Sequence, residues 1–285
     1  MEFLTLNTGA KMPVEGFGVF QIPDAAQCEQ VVYDAIKTGY RLIDTATAYA
    51  NEEAVGKGVA RAINDGITTR EELFITTKVW VSDMGTEEGA YQAVKASLQR
   101  LHMDYADLIL LHQPMSDYFA AYRGITKAYK EGLTKAIGVA NFYPAILANF
   151  CETVEVIPAV NQVELHPYFV QEGAIENMKA YGVVAQAWGP LAEGKHGIFT
   201  DPDLVSIGKK YGKTAAQVAL KWNAQRGVSI IPKSVHVERM EENLNIWDFT
   251  LTDEEMKKIA IKDLGHSEIV NHDAPEFVKF IHQLH

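Results

Sequence analysis

The sequence predicts a closed (β/α)8 barrel. Three observations favour this fold: eight short apolar runs, helix-like stretches between successive runs, and a length of 285 residues. Apolar strands separated by helical crossovers indicate a parallel sheet that is buried on both faces. Barrels of this type often reach about 250 residues as one unit. We therefore expect a single domain over residues 1–285, with a doubly wound sheet as the alternative.

The elements follow in order along the chain. The segment EFLTLNTGAKMPV alternates apolar and polar residues around a turn, which predicts a hairpin within residues 1–14. The candidate strands are residues 16–20, 40–46, 73–79, 107–112, 135–141, 158–164, 183–188 and 229–234. Helix start signals lie between strands at Asp24, Asn51, Thr86 and Pro144. Helical patterns in DPDLVSIGKKYG and TAAQVALKWNAQRG precede the last strand, and LTDEEMKKIA and a loose segment follow it.

The composition narrows the classes of function. A formal net charge of -11 and a pI near 5.3 argue against a surface that binds nucleic acid or anionic membranes. No apolar run approaches the ~18 residues of a membrane span, and the first residues lack the pattern of a signal peptide. The two cysteines, Cys28 and Cys151, form no metal-ligand pattern. We expect a soluble cytoplasmic monomer without a metal site.

Four polar residues stand at or near predicted strand ends, where barrels of this type carry their active sites. Asp44 follows RLI, Lys78 follows LFITT, His112 follows LILL, and Tyr49 lies in the loop after Asp44. Each has a structural alternative: a turn cap, a solvent-exposed lysine or a satisfied histidine. Because the second, third and fourth strands are adjacent, we expect all four side chains in one cluster. That clustering favours a catalytic role.

The four side chains suit proton donation to a carbonyl oxygen. A phenol has an ordinary pKa of about 10, too high for efficient donation near neutral pH unless its anion is stabilised. We expect the Lys78 ammonium to lower the pKa of Tyr49, and Asp44 to keep that ammonium charged. His112 would donate a hydrogen bond to the substrate oxygen. The set is suited to protonating a carbonyl as a hydride arrives at its carbon.

A hydride donor needs a binding site, and the Rossmann fingerprint is absent from the sequence. The stretch GKKYGKT is one residue short of a P-loop and follows a helix, which disfavours an ATPase. The segment IPKSVHVERMEEN is the better anion site, because Lys233 and Ser234 end the eighth strand and Arg239 lies near the next helix start. Two cations beside a hydroxyl suit the 2′-phosphate of NADP. A solvated helix start is the structural alternative.

These segments carry a resemblance to a known family. GYRLIDTATAYANEEAVG, Lys78 in TTKV, His112 in MDYADLILLHQP and the segment IPKSVHVERMEEN resemble, in this order, the aldo-keto reductase superfamily. The likeness is strongest to microbial members similar to 2,5-diketo-gluconate reductases and prostaglandin F synthases. It implies NADPH-dependent reduction of small carbonyl compounds on a (β/α)8 barrel whose bottom the hairpin closes. It also implies Tyr49 as general acid, tuned by Lys78 and Asp44, with His112 orienting the carbonyl.

The resemblance further implies a set of contacts to the NADPH cofactor. They are Val19, Phe20, Asp44, Ala140, Asn141, Gln162, Trp188, Gly189, Leu191, Glu193, Lys233, Ser234, Val235, Arg239, Glu242 and Asn243. Within this set, Asn141 and Gln162 would hold the carboxamide and Trp188 would stack on the nicotinamide ring. The chain departs from the family's pattern at Ala140, where many members have Ser, and at Trp188 and Gly189, where Tyr and Ser are commoner.

The predicted substrate contacts are Phe20, Tyr49, Trp80, His112 and Gln113, with the C-terminal tail closing one side of the pocket. A simpler interpretation makes Phe20 and Trp80 aromatics at the edge of the core. Two other functions are weighed against the reductase: an NADPH-binding regulatory subunit with little turnover, and an isomerase that uses Lys78. All four catalytic positions are filled, which favours the reductase.

Overall fold

The computed structural model of the chain describes residues 2–284. Its main sheet has eight parallel strands, and each strand pairs with its neighbours in chain order. They are β3 (Gly16–Gly18), β4 (Leu42–Asp44), β5 (Phe74–Val79), β6 (Leu108–Leu111), β7 (Ile137–Ala140), β8 (Val160–Glu164), β9 (Val184–Trp188) and β10 (Ser229–Ile230). A parallel bridge between Glu15 and Ile230 joins the first barrel strand to the last. The predicted (β/α)8 barrel is therefore confirmed.

A two-stranded antiparallel hairpin precedes the barrel, as predicted, and consists of β1 (Phe3–Thr5) and β2 (Lys11–Pro13). Leu6 and Met12 from the hairpin are buried in one cluster with Leu42, the first residue of β4. The hairpin therefore covers the amino-terminal ends of the barrel strands. The hairpin leaves the carboxyl-terminal ends of the strands uncovered, and a functional site can form there.

Helices lie in the connections between the barrel strands and also follow the last strand. They are α1 (Ala25–Thr38), α2 (Glu52–Asn64), α3 (Glu87–Leu101), α4 (Tyr118–Lys130), α5 (Pro144–Cys151), α6 (Glu172–Ala180), α7 (Pro202–Tyr211), α8 (Ala215–Gln225), α9 (Val237–Leu244), α10 (Asp253–Ala260) and α11 (Pro275–Ile281). Asp24 and Thr86 cap α1 and α3 as predicted, because each side chain accepts a hydrogen bond from the first helical turn. Asn51 precedes α2, but its side chain makes no cap. Within residues 2–284, no helix is long and apolar enough to cross a membrane.

The tail differs from its expectation, whereas the stretch GKKYGKT lies where it was expected. The tail, expected to be a loose segment, forms the short helix α11, because Ile281 and Phe277 pack against the main core. The stretch GKKYGKT lies at the junction of α7 and α8 instead of following a strand. Its Lys213 lies 2.7 Å from Asp248, so the lysine is held in an ion pair. This placement is unlike that of a P-loop and disfavours an ATPase.

One carboxyl group is buried at the seam of the barrel. Glu15 is only 2% exposed, and the indole Nε1 of Trp247 donates a hydrogen bond to its Oε2. Burial raises the pKa of Glu15 to about 8, against the opposing effect of the Trp247 hydrogen bond. The folded protein therefore keeps a proton on Glu15 at neutral pH, whereas the unfolded chain releases it.

This proton predicts a pH-dependent stability. Between the ordinary pKa of 4.5 and about 8, the unfolded chain loses the Glu15 proton while the folded protein holds it, so stability falls as the pH rises. Between pH 5 and 9, the unfolding free energy of the wild type should fall by about 4 kcal/mol more than that of Glu15→Gln. Urea denaturation at several pH values measures this. The exposed control Glu241→Gln should follow the wild type, and parallel curves for wild type and Glu15→Gln would contradict the raised pKa.

Candidate active site

The carboxyl ends of three neighbouring strands bring the predicted tetrad together. Asp44 is the last residue of β4, Lys78 lies near the end of β5, and His112 directly follows β6. Tyr49 ends a short 3-10 turn, Thr47–Tyr49, that follows β4. Asp44, Tyr49 and His112 line a cavity of about 730 Å³ at this end of the barrel. The predicted clustering is therefore what the structure shows.

Lys78 and Asp44 form a buried ion pair. The Lys78 side chain is 0% exposed, and its Nζ lies 2.6 Å from Oδ1 of Asp44. The ammonium also donates to the backbone oxygen of Thr45 at 2.9 Å and to the hydroxyl of Tyr49 at 3.2 Å. These three acceptors match the three N–H bonds of an ammonium. Asp44 is thus neither a solvent-facing residue nor a turn cap.

Burial and charge act in opposite directions on the pKa values of this group. Burial raises the pKa of Asp44, while Lys78 and a hydrogen bond from Gln162 oppose the rise. Burial disfavours the Lys78 ammonium, but Asp44 and Tyr49 outweigh that effect, so the pKa of Lys78 lies above its ordinary value. Burial also raises the pKa of Tyr49, and the opposing effect of Lys78 does not cancel it. Lys78 thus lowers the pKa of Tyr49 as expected, but burial, which the sequence does not show, outweighs it and leaves this pKa above its ordinary value.

His112 is held among aromatic rings. Its ring centroid lies 5.0 Å from that of Trp80 and 5.6 Å from that of Tyr49, both in edge-on arrangements. Burial, with a smaller effect from Lys78, lowers the pKa of His112 well below its ordinary value. The imidazole is therefore neutral at neutral pH and keeps one N–H to donate.

The residues expected to hold a carboxamide lie beside the tetrad. Trp188 Nε1 donates to Asn141 Oδ1 at 2.8 Å, and Asn141 Nδ2 donates to the backbone oxygen of His112 at 3.1 Å. Gln162 Nε2 donates to Asp44 Oδ2 at 2.8 Å. Among residues 2–284 no donor reaches Gln162 Oε1. Asn141, Gln162 and Trp188 all line the cavity, so the amides present unused hydrogen-bonding groups to it.

The structure separates the remaining cofactor predictions into two sets. The cavity is lined by Phe20, Gly189, Leu191, Glu193 and Lys233. The other predicted contacts do not line it: Val19, Ala140, Ser234, Val235, Arg239, Glu242 and Asn243.

Several residues of the second set are engaged elsewhere. Val19 and Ala140 are fully buried, with 0% and 1% of their surface exposed. The Ser234 hydroxyl bonds to the backbone of His236, and the Glu242 carboxylate accepts from the Thr214 hydroxyl. The side chains of Val19 and Ala140 could contact a cofactor in the cavity only if they became exposed to it.

The predicted substrate residues all line the cavity. Phe20 is 50% exposed and its ring lies 5.0 Å from that of Tyr49, whereas Trp80 and Gln113 are buried. Phe20 is thus a cavity wall and no part of the core. The tail closes one side as expected, and Trp80 Nε1 donates to the backbone oxygen of Leu284 at 3.3 Å. Within residues 2–284, no cluster of His, Cys, Asp or Glu could hold a metal ion.

Comparison with known proteins decides the family. A sequence model described as the Aldo/keto reductase family matches residues 16–263. This chain belongs to the aldo/keto reductase family. Morphine 6-dehydrogenase of Pseudomonas putida is 41% identical over 92% of this chain and 91% of that protein. Glyoxal reductase of Bacillus subtilis is 43% identical over 89% and 90%. The structure of an aldo-keto reductase of Bombyx mori in complex with NADP has a TM-score of 0.90 at 32% identity, covering 97% of this chain and 96% of that one.

In this aldo/keto reductase, the residues that hold the turn carrying Tyr49 in place were not predicted from the sequence. The buried Glu52 accepts a hydrogen bond from the Thr77 hydroxyl at 2.5 Å and another from Arg100 Nε at 2.6 Å. Arg100 also donates to the hydroxyl of Thr47, the first residue of the turn, at 3.4 Å. Glu52 thus joins α2 to β5 and α3, and Arg100 extends this link to the turn. The signal available in the sequence was an acidic residue in the first turn of α2, which also has an ordinary explanation in the helix dipole.

Substitution at two adjacent glutamates tests this link. Glu52→Gln removes the charge from the bonds to Thr77 and Arg100 and should lower the unfolding free energy by about 2 kcal/mol. Glu53→Gln is the matched control, because Glu53 is exposed and pairs with Lys57 at the surface. It should change stability little. Urea denaturation compares the two variants, and equal effects of both would contradict the structural role given to Glu52.

Proposed function

We propose that this aldo/keto reductase reduces aldehydes and ketones to alcohols with NADPH. The observation that carries the proposal is the contact between the Tyr49 hydroxyl and the Lys78 ammonium, 3.2 Å apart, at the wall of the cavity. Relatives with the names glyoxal reductase and methylglyoxal reductase, and the Bombyx mori structure in complex with NADP, support it. A phenol in contact with a buried cation is suited to deliver a proton.

The cavity fits a nicotinamide dinucleotide. Trp188 offers a half-buried ring as one wall, and Gln162 Oε1 is an available acceptor for a carboxamide N–H. Gly189 has a φ of 57°, in the left-handed region that favours glycine, and it leaves the wall beside Trp188 without a side chain. Lys233 lines the cavity after β10, and Arg239 is exposed on α9. These two cations would hold the 2′-phosphate.

In this proposal each member of the tetrad has one task. Tyr49 transfers its hydroxyl proton to the carbonyl oxygen, and the Lys78 ammonium stabilises the phenolate that remains. Asp44 keeps Lys78 charged and in place. The neutral His112 donates its N–H to the same carbonyl oxygen and so orients it. When bound, the nicotinamide cofactor supplies the hydride that the carbonyl carbon receives.

Removal of the phenol hydroxyl tests the proposal. Tyr49→Phe should lower kcat by about 10² to 10⁴-fold, because no other residue is assigned to deliver the proton. Its NADPH affinity, followed by quenching of tryptophan fluorescence, should stay within about threefold of the wild type, since the ring remains. Tyr33→Phe is the control, because its hydroxyl bonds to Asp65 at the surface.

Two outcomes would contradict this proposal. Full turnover by Tyr49→Phe would remove the phenol from the mechanism. Tight NADPH binding by the wild type, with no reduction of any aldehyde or ketone tested, would favour a regulatory subunit that senses the cofactor.

A further inference from the structure

The part of the cavity beside His112 has an apolar wall built by the tail. Phe277, Phe280, Ile281 and Leu284 line it on the tail side. Trp80 and Phe20 line it from the loops that follow β5 and β3. Large rings and branched side chains of this kind bury apolar surface well but offer few groups for hydrogen bonding.

The tail that carries this wall is tied to the barrel at both ends. The Ser267 hydroxyl donates to the buried carboxylate of Glu164 at 2.5 Å. Lys195 Nζ donates to the backbone oxygen of Glu268 at 2.7 Å. At the other end, Leu284 accepts from Trp80. The wall is therefore part of the fold and need not assemble around a ligand.

Charged side chains are few along the cavity and lie away from this wall. Within residues 2–284, the charged side chains that line it are Asp44, Glu193 and Lys233. Lys233 is the one cation among them, and it follows β10, which lies four strands from β6 and His112 in either direction around the barrel. Lys279 on α11 is exposed and does not line the cavity.

The second imidazole at this end is also neutral. His272 from the tail lines the cavity, and Tyr143, Trp188 and Phe277 surround its ring. Its Nδ1 lies 3.4 Å from the Tyr143 hydroxyl, and no carboxylate is among these neighbours. Burial lowers the pKa of His272 to about 4. Neither His272 nor His112 thus supplies a positive charge near neutral pH.

We propose that the substrates of this enzyme are uncharged carbonyl compounds with a ring next to the carbonyl, and that carboxylated carbonyl compounds are rejected. The inference rests on the proposed function and adds the substrate class. A ring would lie against Phe277, Phe280 and Trp80. A carboxylate there would lose its hydration without a cation to replace it.

Matched substrates test the charge. 4-Formylbenzamide and 4-formylbenzoate have nearly the same shape but differ by one negative charge at pH 7. We expect kcat/KM with NADPH to be at least about 100-fold higher for the amide. Benzaldehyde should exceed propanal by about tenfold, because the ring adds buried apolar surface. Values within threefold in either pair would overturn the corresponding part of the inference. Absence of turnover on all four would instead overturn the proposed function.

A pair of variants tests whether the tail wall is the part of the cavity that rejects a carboxylate. Phe280 is 53% exposed and lines the cavity, so Phe280→Lys adds a cation at the tail wall without burying it. Loss of the Phe280 ring affects both substrates, so the readout is the ratio of kcat/KM for 4-formylbenzoate to kcat/KM for 4-formylbenzamide. We expect about a tenfold gain in this ratio. Phe3→Lys is the control, because Phe3 is 52% exposed on the hairpin at the other end of the barrel. Equal effects of both variants, or no gain with Phe280→Lys, would contradict the inference.

Discussion

The buried ion pair between Lys78 and Asp44 is the interaction on which the rest of the site depends. Taking an ammonium out of water costs several kcal/mol even after relaxation, so a fully buried lysine needs excellent partners. Lys78 has three: the Asp44 carboxylate, the Thr45 backbone oxygen and the Tyr49 hydroxyl. The third partner, Tyr49, connects the stability of the buried ammonium to the proposed proton transfer. The contact that satisfies the ammonium also places it beside the phenol that is proposed to lose a proton.

The barrel supplies the geometry for this pair. β4 and β5 are neighbours in a parallel sheet, so Asp44 and Lys78 emerge at the same end, and β6 adds His112 next to them. Tyr49 does not lie on a strand. Arg100 on α3 donates to the Thr47 hydroxyl in its turn, and Glu52 on α2 accepts from Arg100 and from Thr77 on β5. The catalytic cluster therefore depends on both the sheet and the helical layer around it.

The parts that local pattern encodes could be predicted from the sequence. Apolar runs in the sequence indicate buried strands. Polar residues at the ends of these runs, such as Asp44 and Lys78, are then expected at the carboxyl-terminal end of the barrel. Side-chain contacts that do not follow from the order of the strands could not be predicted. Asn51 looked like a helix cap, but its Oδ1 accepts from the Thr45 hydroxyl at 2.7 Å. The bond from Trp188 to Asn141 also depends on packing between strands, and so does the tail helix, whose apolar residues fold against the core. The net pKa of the phenol depends on packing as well, because burial outweighs the cation.

The central claim is that Lys78 acts on the reaction through Tyr49. A double-mutant cycle with Lys78→Met and Tyr49→Phe measures this most directly, with single-turnover rates of carbonyl reduction and with NADPH affinity as a check on folding. The account predicts that Lys78→Met slows the wild-type enzyme strongly but slows the Tyr49→Phe variant by less than about threefold. If the two losses were instead additive in free energy, Lys78 would act independently of the phenol, and the account would be contradicted.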